Sequence, residues 1–229
     1  MNIKSVCFDL DGTLYDFEKV MRHALSIALA ELTKKYPECN EHLSVDKMIQ
    51  TREDTAKELK GKVINLEEVR LESFKRSLAY CGINDDEFAE HLNKLYLRHR
   101  FEDLELFGDV ITTLDAFKDR YILGIISNGN SYPRTLKIEH YFRFVLLAPE
   151  VGIDKPNPEI FHLAIKKANC LPQEMLYIGD SQEDDISGGK SAGVIVAWFN
   201  REKERLQTNI PKPDFEIDRL SMLLDILNE

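Results

Sequence analysis

The second half of the chain alternates short apolar runs with amphipathic stretches, and this alternation constrains the fold more than any other feature. Runs such as YILGIIS (121–127) and VIVAWF (194–199) are apolar almost throughout. A helical pattern, NPEIFHLAIKKAN, lies between them, with Asn157 placed as N-cap and Pro158 at its first position. Near-continuous apolar strands that alternate with helices predict a parallel sheet with helices on both faces, in an α/β protein.

A short apolar run near the start, residues 3–8, indicates one more strand of this sheet. The following residues, about 17 to 100, indicate helices only. One of these helices is predicted to stop at Gly61 and the next to begin at Asn65. The chain is therefore predicted to have an α/β core and an all-helical domain inserted after the first strand. The predicted boundaries are 1–15 with 103–229 for the core and 16–102 for the insertion.

Composition narrows the possible partners and the cellular location. The formal net charge of −10 argues against a nucleic-acid polymer or an anionic membrane as partner. No window offers the roughly 18 uninterrupted apolar residues that a membrane span needs, and the N-terminus lacks the layout of a signal peptide. The four cysteines are scattered and form no close pair. We therefore predict a cytoplasmic protein, while the oligomeric state stays open.

The first strand ends in DLDGT, which places the carboxylates of Asp9 and Asp11 two residues apart. On one face of a strand they would lie roughly 7 Å apart. Their repulsion at that distance costs roughly 2–3 kcal/mol when the effective dielectric constant is about 20. We therefore expect a cation to lie beside these two carboxylates.

Polar groups also follow the other predicted strands. Ser127 and Asn128 follow the second strand, Lys155 follows the third after a short loop, and Asp180 follows the fourth. Ligands of open parallel sheets bind outside the carboxyl ends of the strands, so these groups are expected to meet. Each signal alone is common in ordinary turns, but four in order at strand ends favour a functional site.

Each of these residue types has a place in phosphoryl transfer. Asp9 and Asp180 can bind Mg²⁺, which takes one or two carboxylates together with substrate phosphate. Ser127 and the backbone N–H groups at Asn128 and Gly129 can hold phosphate oxygens, and the Lys155 ammonium balances the phosphoryl charge. One carboxylate of the first pair can then attack phosphorus while its neighbour acts as general acid and base.

In these motifs the chain resembles the haloacid dehalogenase-like hydrolase superfamily. The matching stretches are DLDGT at 9–13, ISNG at 126–129, Lys155 in VGIDKPNPEIF, and GDSQEDD at 179–185. The resemblance implies a Rossmann-like core with a small helical cap, as in the phosphatases and 5′-nucleotidases of this superfamily. It implies Asp9 as nucleophile and Asp11 as acid and base. The other implied roles are phosphoryl binding by Ser127, Asn128 and Lys155, metal binding by Asp9, the Asp11 carbonyl and Asp180, and support by Thr13 and Asp185.

The presence of Asp11 favours phosphate chemistry, since the dehalogenases that name the superfamily lack this second aspartate. The leading interpretation is a Mg²⁺-dependent phosphatase acting on a small soluble phosphomonoester. A sugar phosphomutase with the same core is the alternative enzyme; a receiver-like phosphoacceptor without turnover and a degenerate binding protein are non-enzymatic alternatives. Within the cap, Arg70 is the preferred candidate for contact with substrate, and the substrate itself is not determined by these motifs.

Overall fold

The computed structural model describes residues 1–59, 66–102 and 104–228, which form two compact units. One unit comprises Met1–Asp16 and Glu105–Glu229, and the other comprises Phe17–Leu104. The helix ends predicted at Gly61 and Asn65 and the boundary predicted at residue 103 lie outside the described residues. In the described part of the chain, no helix is long and apolar enough to cross a membrane.

The first unit is built on a six-stranded sheet in which every neighbouring pair of strands is parallel. The strands are β1 (Ser5–Phe8), β2 (Ile122–Ser127), β3 (Phe144–Leu147), β4 (Met175–Gly179), β5 (Ile195–Phe199) and β6 (Phe215–Ile217). Their order, β3-β2-β1-β4-β5-β6, is that of a Rossmann-like doubly wound sheet. The predicted fold class is therefore confirmed.

The second unit, as far as it is described, is helical apart from its connections. Its α-helices are α1 (Phe17–Lys35), α2 (Val45–Leu59), α3 (Leu66–Tyr80) and α4 (Asp86–Glu102), and a short 3₁₀ turn lies at Pro37–Glu41. Alanines and leucines of α1, among them Ala24 and Leu32, share an apolar core with Phe74 of α3 and Leu92 of α4. The buried apolar residues of α1 lie on one side of the helix, as in an amphipathic helix.

The α-helices of the α/β unit precede β2, lie between β3 and β4 and between β4 and β5, and follow β6. They are α5 (Val110–Phe117), α6 (Ala148–Val151), α7 (Pro158–Ala168), α8 (Gly188–Ala192) and α9 (Met222–Ile226). The start of α7 confirms the predicted cap, because the Asn157 side chain accepts the Glu159 backbone N–H at 3.0 Å and Pro158 follows it. The ring of Phe161 on α7 meets the ring of Tyr177 on β4 edge to face, 4.9 Å between centroids. This packing fixes the tyrosine ring beneath the carboxyl end of the sheet.

One local feature differs from what the sequence predicts. No strand is predicted after residue 199, whereas β6 pairs with β5 over three residues; a segment this short shows no readable alternation. Between β4 and α8 the chain forms a π-helical turn, Gln182–Ser187. Gly193 closes α8 with a left-handed φ of 78°.

The strand order reverses at β1, because the chain next adds β2 and β3 on one side and later β4 to β6 on the other. Phe8, the last residue of β1, lies in register with Ile125 of β2 and Ile178 of β4. The residues that follow these three central strands therefore emerge at the same edge of the sheet, where such folds bind ligands.

Candidate active site

A buried lysine joins two carboxylates at this edge. The Lys155 Nζ lies 2.8 Å from Asp9 Oδ1 and 2.7 Å from Asp185 Oδ1. The three residues are almost withdrawn from solvent, with exposed fractions of 3%, 6% and 0%. Since salt bridges of this kind are weakly screened, each charge depends strongly on the others.

The pKa values of Asp9, Asp180 and Lys155 are shifted by burial and by the acids that lie close together here. Burial raises the pKa of Asp9 well above its usual range, and Asp185 and Asp180 raise it further against the opposing effect of Lys155. Burial likewise raises the pKa of Asp180 to about 7, with Asp185 as the next contributor. Burial alone would lower the pKa of Lys155, but Asp185 and Asp9 together raise it above its ordinary value. The site holds more negative charge than its lysine neutralises.

Tyr177 on β4 completes this cluster, and sequence reasoning did not identify it. Its hydroxyl lies 2.9 Å from Lys155 Nζ and 2.8 Å from Asp185 Oδ1, and the Ile126 carbonyl lies at 3.2 Å. Burial and the nearby carboxylates raise the pKa of Tyr177 well above its usual value, so the hydroxyl stays protonated and donates. The only signal in the sequence is a tyrosine inside an otherwise apolar strand. Tyr177 holds the lysine and the acid in place.

Replacing Tyr177 with Phe removes this hydroxyl while the ring and its packing remain. We expect the free energy of unfolding to fall by about 1–3 kcal/mol, because Lys155 and Asp185 each lose a buried hydrogen bond. Urea denaturation measures the change. Tyr132→Phe is the matched control, since its hydroxyl donates to Glu150 at an exposed position; a loss of the same size in both variants would contradict the role of Tyr177.

The fully buried Asp185 carboxylate accepts hydrogen bonds on both of its oxygens. Oδ1 accepts from Lys155 and Tyr177, and Oδ2 accepts the Ser181 backbone N–H at 2.9 Å. Gly179 leaves room for it, because a Cβ at that position would collide with the Asp185 carboxylate. The hydrogen bond from the Ser181 backbone N–H ties Asp185, within the π-helical turn, to the residue that precedes this turn.

Asn128 uses its side chain to fix the lysine-bearing loop. Its Nδ2 donates to the Lys155 carbonyl at 2.9 Å, and its Oδ1 accepts the Lys155 backbone N–H at 2.7 Å. The same Nδ2 lies 3.2 Å from Asp184 Oδ2. Ser127, which is buried, accepts the Gly129 backbone N–H on its Oγ at 3.1 Å. The phosphate-binding roles of Ser127 and Asn128 stay predictions, and the side-chain clamp is an additional finding.

Asp11 has surroundings different from those the sequence suggests. Strand β1 ends at Phe8, so strand alternation does not extend to Asp11. The carboxylates that raise the pKa of Asp9 belong to Asp185 and Asp180 instead. Asp11 Oδ1 accepts the hydroxyl of Tyr15 at 2.5 Å, and that hydroxyl lies 2.9 Å from Ser131 Oγ. Tyr15 and Ser131 are thus further site residues that sequence reasoning missed.

A group of three carboxylates could hold a metal ion. One oxygen from each of Asp9, Asp180 and Asp185 lies within 4.8 Å of the others. Both oxygens of Asp185 already accept hydrogen bonds, so Asp9 and Asp180 are the better-placed ligands. Thr13 Oγ1 orients Asp180 by donating to its Oδ1 at 3.0 Å. The donors are all hard carboxylate oxygens, and their excess negative charge fits Mg²⁺.

The backbone at Gly12 lies very close to the Asp180 carboxylate. Gly12 adopts a φ of 87°, a left-handed conformation that side chains rarely take, and a Cβ there would lie 2.5 Å from Asp180 Oδ2. The Trp198 indole N–H donates to the Asp180 carbonyl at 2.9 Å from β5. The backbone and the side chain of Asp180 are both held in place. Arg70 belongs to the helical unit, where it lies buried on α3.

Comparison with known proteins gives the class of this site. The family model for haloacid dehalogenase-like hydrolase matches residues 3–193. The chain therefore belongs to the haloacid dehalogenase-like hydrolases, as the motifs predict.

Individual relatives span the whole chain. A glyceraldehyde 3-phosphate phosphatase from Methanopyrus kandleri is 29% identical, over 99% of this chain and 98% of its own. The structure of a 2-haloacid dehalogenase from Pseudomonas syringae is 29% identical with a TM-score of 0.79, covering 99% of this chain and 98% of its own. The HAD-hydrolase YfnB from Bacillus subtilis, solved with bound magnesium, is 25% identical with a TM-score of 0.77, covering 100% of both chains.

Proposed function

We propose that this protein is a Mg²⁺-dependent phosphatase that hydrolyses a small phosphomonoester through an aspartyl phosphate on Asp9. The observation that carries the proposal is the buried contact of Lys155 with Asp9 Oδ1, beside the acidic pair of Asp180 and Asp185. A similar phosphatase from Methanopyrus kandleri supports the class of reaction. The retained Asp11 favours phosphate over carbon–halogen chemistry, although a similar structure is that of a dehalogenase.

The carboxylates of Asp9 and Asp180 and the backbone carbonyl of Asp11 would hold the metal. When bound, Mg²⁺ supplies positive charge that neutralises phosphate oxygens and lowers the repulsion between the substrate and the acids. The magnesium bound to the similar YfnB structure supports this choice of metal. The helical unit is proposed to be the cap that selects substrates.

Two proton transfers accompany the proposed chemistry. The Asp9 carboxylate attacks phosphorus, the bond from phosphorus to the ester oxygen breaks, and Asp11 gives its proton to the departing alkoxide. Asp11 then takes a proton from water as that water attacks the phosphoryl group, which releases phosphate and restores Asp9. Ser127 and the backbone N–H groups after β2 bind the phosphoryl oxygens, and the direct contact with Lys155 favours the ionised form of Asp9 against the effect of burial.

A phosphate-release screen over phosphomonoesters, with Mg²⁺ and with EDTA, tests the proposal. We expect phosphate release that depends on Mg²⁺. We expect no release of halide when haloacids are tested as substrates. The panel includes hexose 1-phosphates with product analysis, because isomer formation without free phosphate would instead establish a phosphomutase. Halide release without phosphatase activity would overturn the proposed reaction.

Mg²⁺ affinity is expected to fall with pH on the acid side of neutrality. The pKa of Asp180 is raised to about 7 in the metal-free protein, so a proton competes with the metal below that pH. If one proton is displaced, affinity falls about tenfold per pH unit below pH 7. Isothermal titration in two buffers of different ionisation enthalpy measures the affinity and the released proton; a pH-independent affinity between pH 5 and 7 would contradict the assignment of Asp180.

A further inference from the structure

The helical unit buries a guanidinium group with two nitrogen atoms for which the described residues offer no hydrogen-bond acceptor. Arg70 on α3 is 3% exposed, and its Nε and Nη1 contact no acceptor in the described structure. Arginine is almost never fully buried unless it is paired, because removing its charge from water is costly. A buried guanidinium with two open donors is therefore the mark of a site whose ligand is an acceptor.

The surroundings of Arg70 are polar, aromatic and positively charged. Its Cζ lies 5.6 Å from the ring centroid of Tyr96 on α4, and the Tyr96 hydroxyl is a further buried group without a hydrogen-bond partner. Arg100 lies on the same face of α4, four residues beyond Tyr96. Its guanidinium stacks on Phe17 and Phe101, with 4.9 and 5.1 Å from Cζ to the ring centroids.

Electrostatics in this cluster oppose the charge of Arg70. The pKa of Arg70 is lowered to about 10, chiefly by burial and next by the neighbouring Arg100, with a smaller lowering effect of Arg52. Glu67, whose carboxylate is exposed, is the smallest of the contributing groups. Arg76 on the same helix shows the contrast, since it pairs with Glu58 at 2.7 Å and Glu72 at 3.0 Å. An oxyanion beside Arg70 would offset the unfavourable burial of its charge.

We propose that Arg70, with Tyr96 and Arg100, forms an oxyanion-binding site in the helical unit that recognises a carboxylate or phosphate group. A guanidinium offers two parallel N–H donors to such a group. Building on the proposed function, the oxyanion is either a second anionic group of the phosphomonoester or a separate small anion. Both kinds of ligand would present the same carboxylate or phosphate oxygens to Arg70, and steady-state kinetics distinguishes them.

Binding is tested directly with malonate, a dicarboxylate that contains no phosphorus. Isothermal titration of the full chain is done after metal removal on a chelating resin and without free chelator, because a soluble chelator such as EDTA is itself a polycarboxylate that would compete with malonate. We expect malonate to bind the wild type and the Arg76→Met control, and we expect Arg70→Met to lose binding at least about tenfold. Arg70→Lys keeps the positive charge but loses the two parallel N–H donors of the guanidinium, so it should retain part of the affinity for malonate.

Thermal unfolding of the same variants separates a binding role from a structural one. Arg70→Met removes a buried charge whose Nε and Nη1 have no acceptor among the described residues, so its melting temperature without anion should equal or exceed that of the wild type. Malonate should raise the melting temperature of the wild type and leave that of Arg70→Met unchanged. A lower melting temperature for Arg70→Met, without malonate binding to the wild type, would overturn the proposal.

Steady-state kinetics then identifies the source of the anion. Phosphoglycolate and hydroxyethyl phosphate are a matched pair, the first with a carboxylate and the second with a neutral hydroxymethyl group. If the oxyanion belongs to the substrate, Arg70→Met raises KM for phosphoglycolate at least about tenfold and leaves hydroxyethyl phosphate within about twofold. If it is a separate anion, malonate changes the turnover of both esters in the wild type and has no effect in Arg70→Met.

The proposal and the proposed phosphatase function can fail separately. Malonate binding that depends on Arg70, in a protein that hydrolyses no phosphomonoester, would leave the oxyanion site established and remove the phosphatase function. Hydrolysis of both esters, with no malonate binding and equal effects of Arg70→Met on both, would remove the oxyanion site and leave the phosphatase function intact.

Discussion

Replacing Asp9 with Asn is expected to reduce phosphomonoester turnover by at least about 1000-fold, because the amide oxygen is a poor nucleophile toward phosphorus. The fold should survive. Asn has the same shape as Asp, and its Oδ1 can still accept from Lys155 Nζ, which lies 2.8 Å from Asp9 Oδ1. Initial rates of phosphate release measure the loss, and circular dichroism with thermal unfolding measures the fold.

Asp119→Asn is the matched control for this substitution. Asp119 is an exposed carboxylate of the same α/β unit, just after α5. Its replacement should leave turnover within about twofold and stability within about 0.5 kcal/mol. If Asp9→Asn kept more than about a tenth of the wild-type rate, Asp9 would not be the nucleophile and another carboxylate of the cluster would have to be considered.

Replacing Lys155 with Met is expected to damage both stability and activity. The substitution leaves Asp9 and Asp185 buried without the ammonium that lies 2.8 and 2.7 Å from them. Breaking a buried ion pair from one side costs about 3–5 kcal/mol. Turnover should fall at least about 100-fold, since Asp9 loses the group that favours its ionised form. Urea denaturation at pH 7 in EDTA measures the stability.

The pH dependence of this loss follows from the direction of the pKa shifts. The folded-state pKa of Lys155 is raised, so its contribution to stability is present at neutral pH and is lost as the pH rises through that value. In the variant part of the cost comes from the buried Asp9 carboxylate, whose pKa is raised by burial, so protonation of Asp9 removes this part as the pH falls. The difference between Lys155→Met and the wild type should therefore shrink as the pH falls from 7 toward about 4.

Lys118→Met provides the control for the loss of a lysine. Lys118 pairs with Asp115 at 2.7 Å, but both side chains are about half exposed, at 46% and 48%. An exposed pair of this kind contributes less than about 1 kcal/mol. A loss for Lys155→Met no larger than that for Lys118→Met would show that the buried cluster does not depend on its cation.

Sequence alone predicts the parts of this protein that follow from order along the chain. Strands that end in Asp9, Ser127 and Asp180 predict a parallel sheet with a polar edge, and the observed sheet has this fold class. The family follows from the same motifs and is confirmed over residues 3–193. Roles for the individual site residues, the domain boundaries and the cytoplasmic location stay predictions.

Contacts between distant segments are the part that sequence alone did not reveal. Tyr177 reads as a core tyrosine in an apolar strand, and only the folding of the segments after β3 and β4 brings Lys155 and Asp185 to its hydroxyl. Tyr15 likewise reaches Asp11 and Ser131 only through the folding of its loop. The clamp of Asn128 on Lys155 joins positions 27 residues apart. No periodicity or spacing along the chain encodes these adjacencies.

Chemical trapping of the phosphorylated protein tests the central claim most directly. During the first turnover at saturating phosphomonoester and Mg²⁺, the reaction is quenched and reduced with borohydride, which converts an aspartyl phosphate into homoserine. Mass spectrometry of the N-terminal peptide should then show homoserine at position 9, and only when substrate was present. Release of the alcohol and of phosphate with Asp9 unmodified at every quench time, or homoserine at another aspartate, would contradict the account.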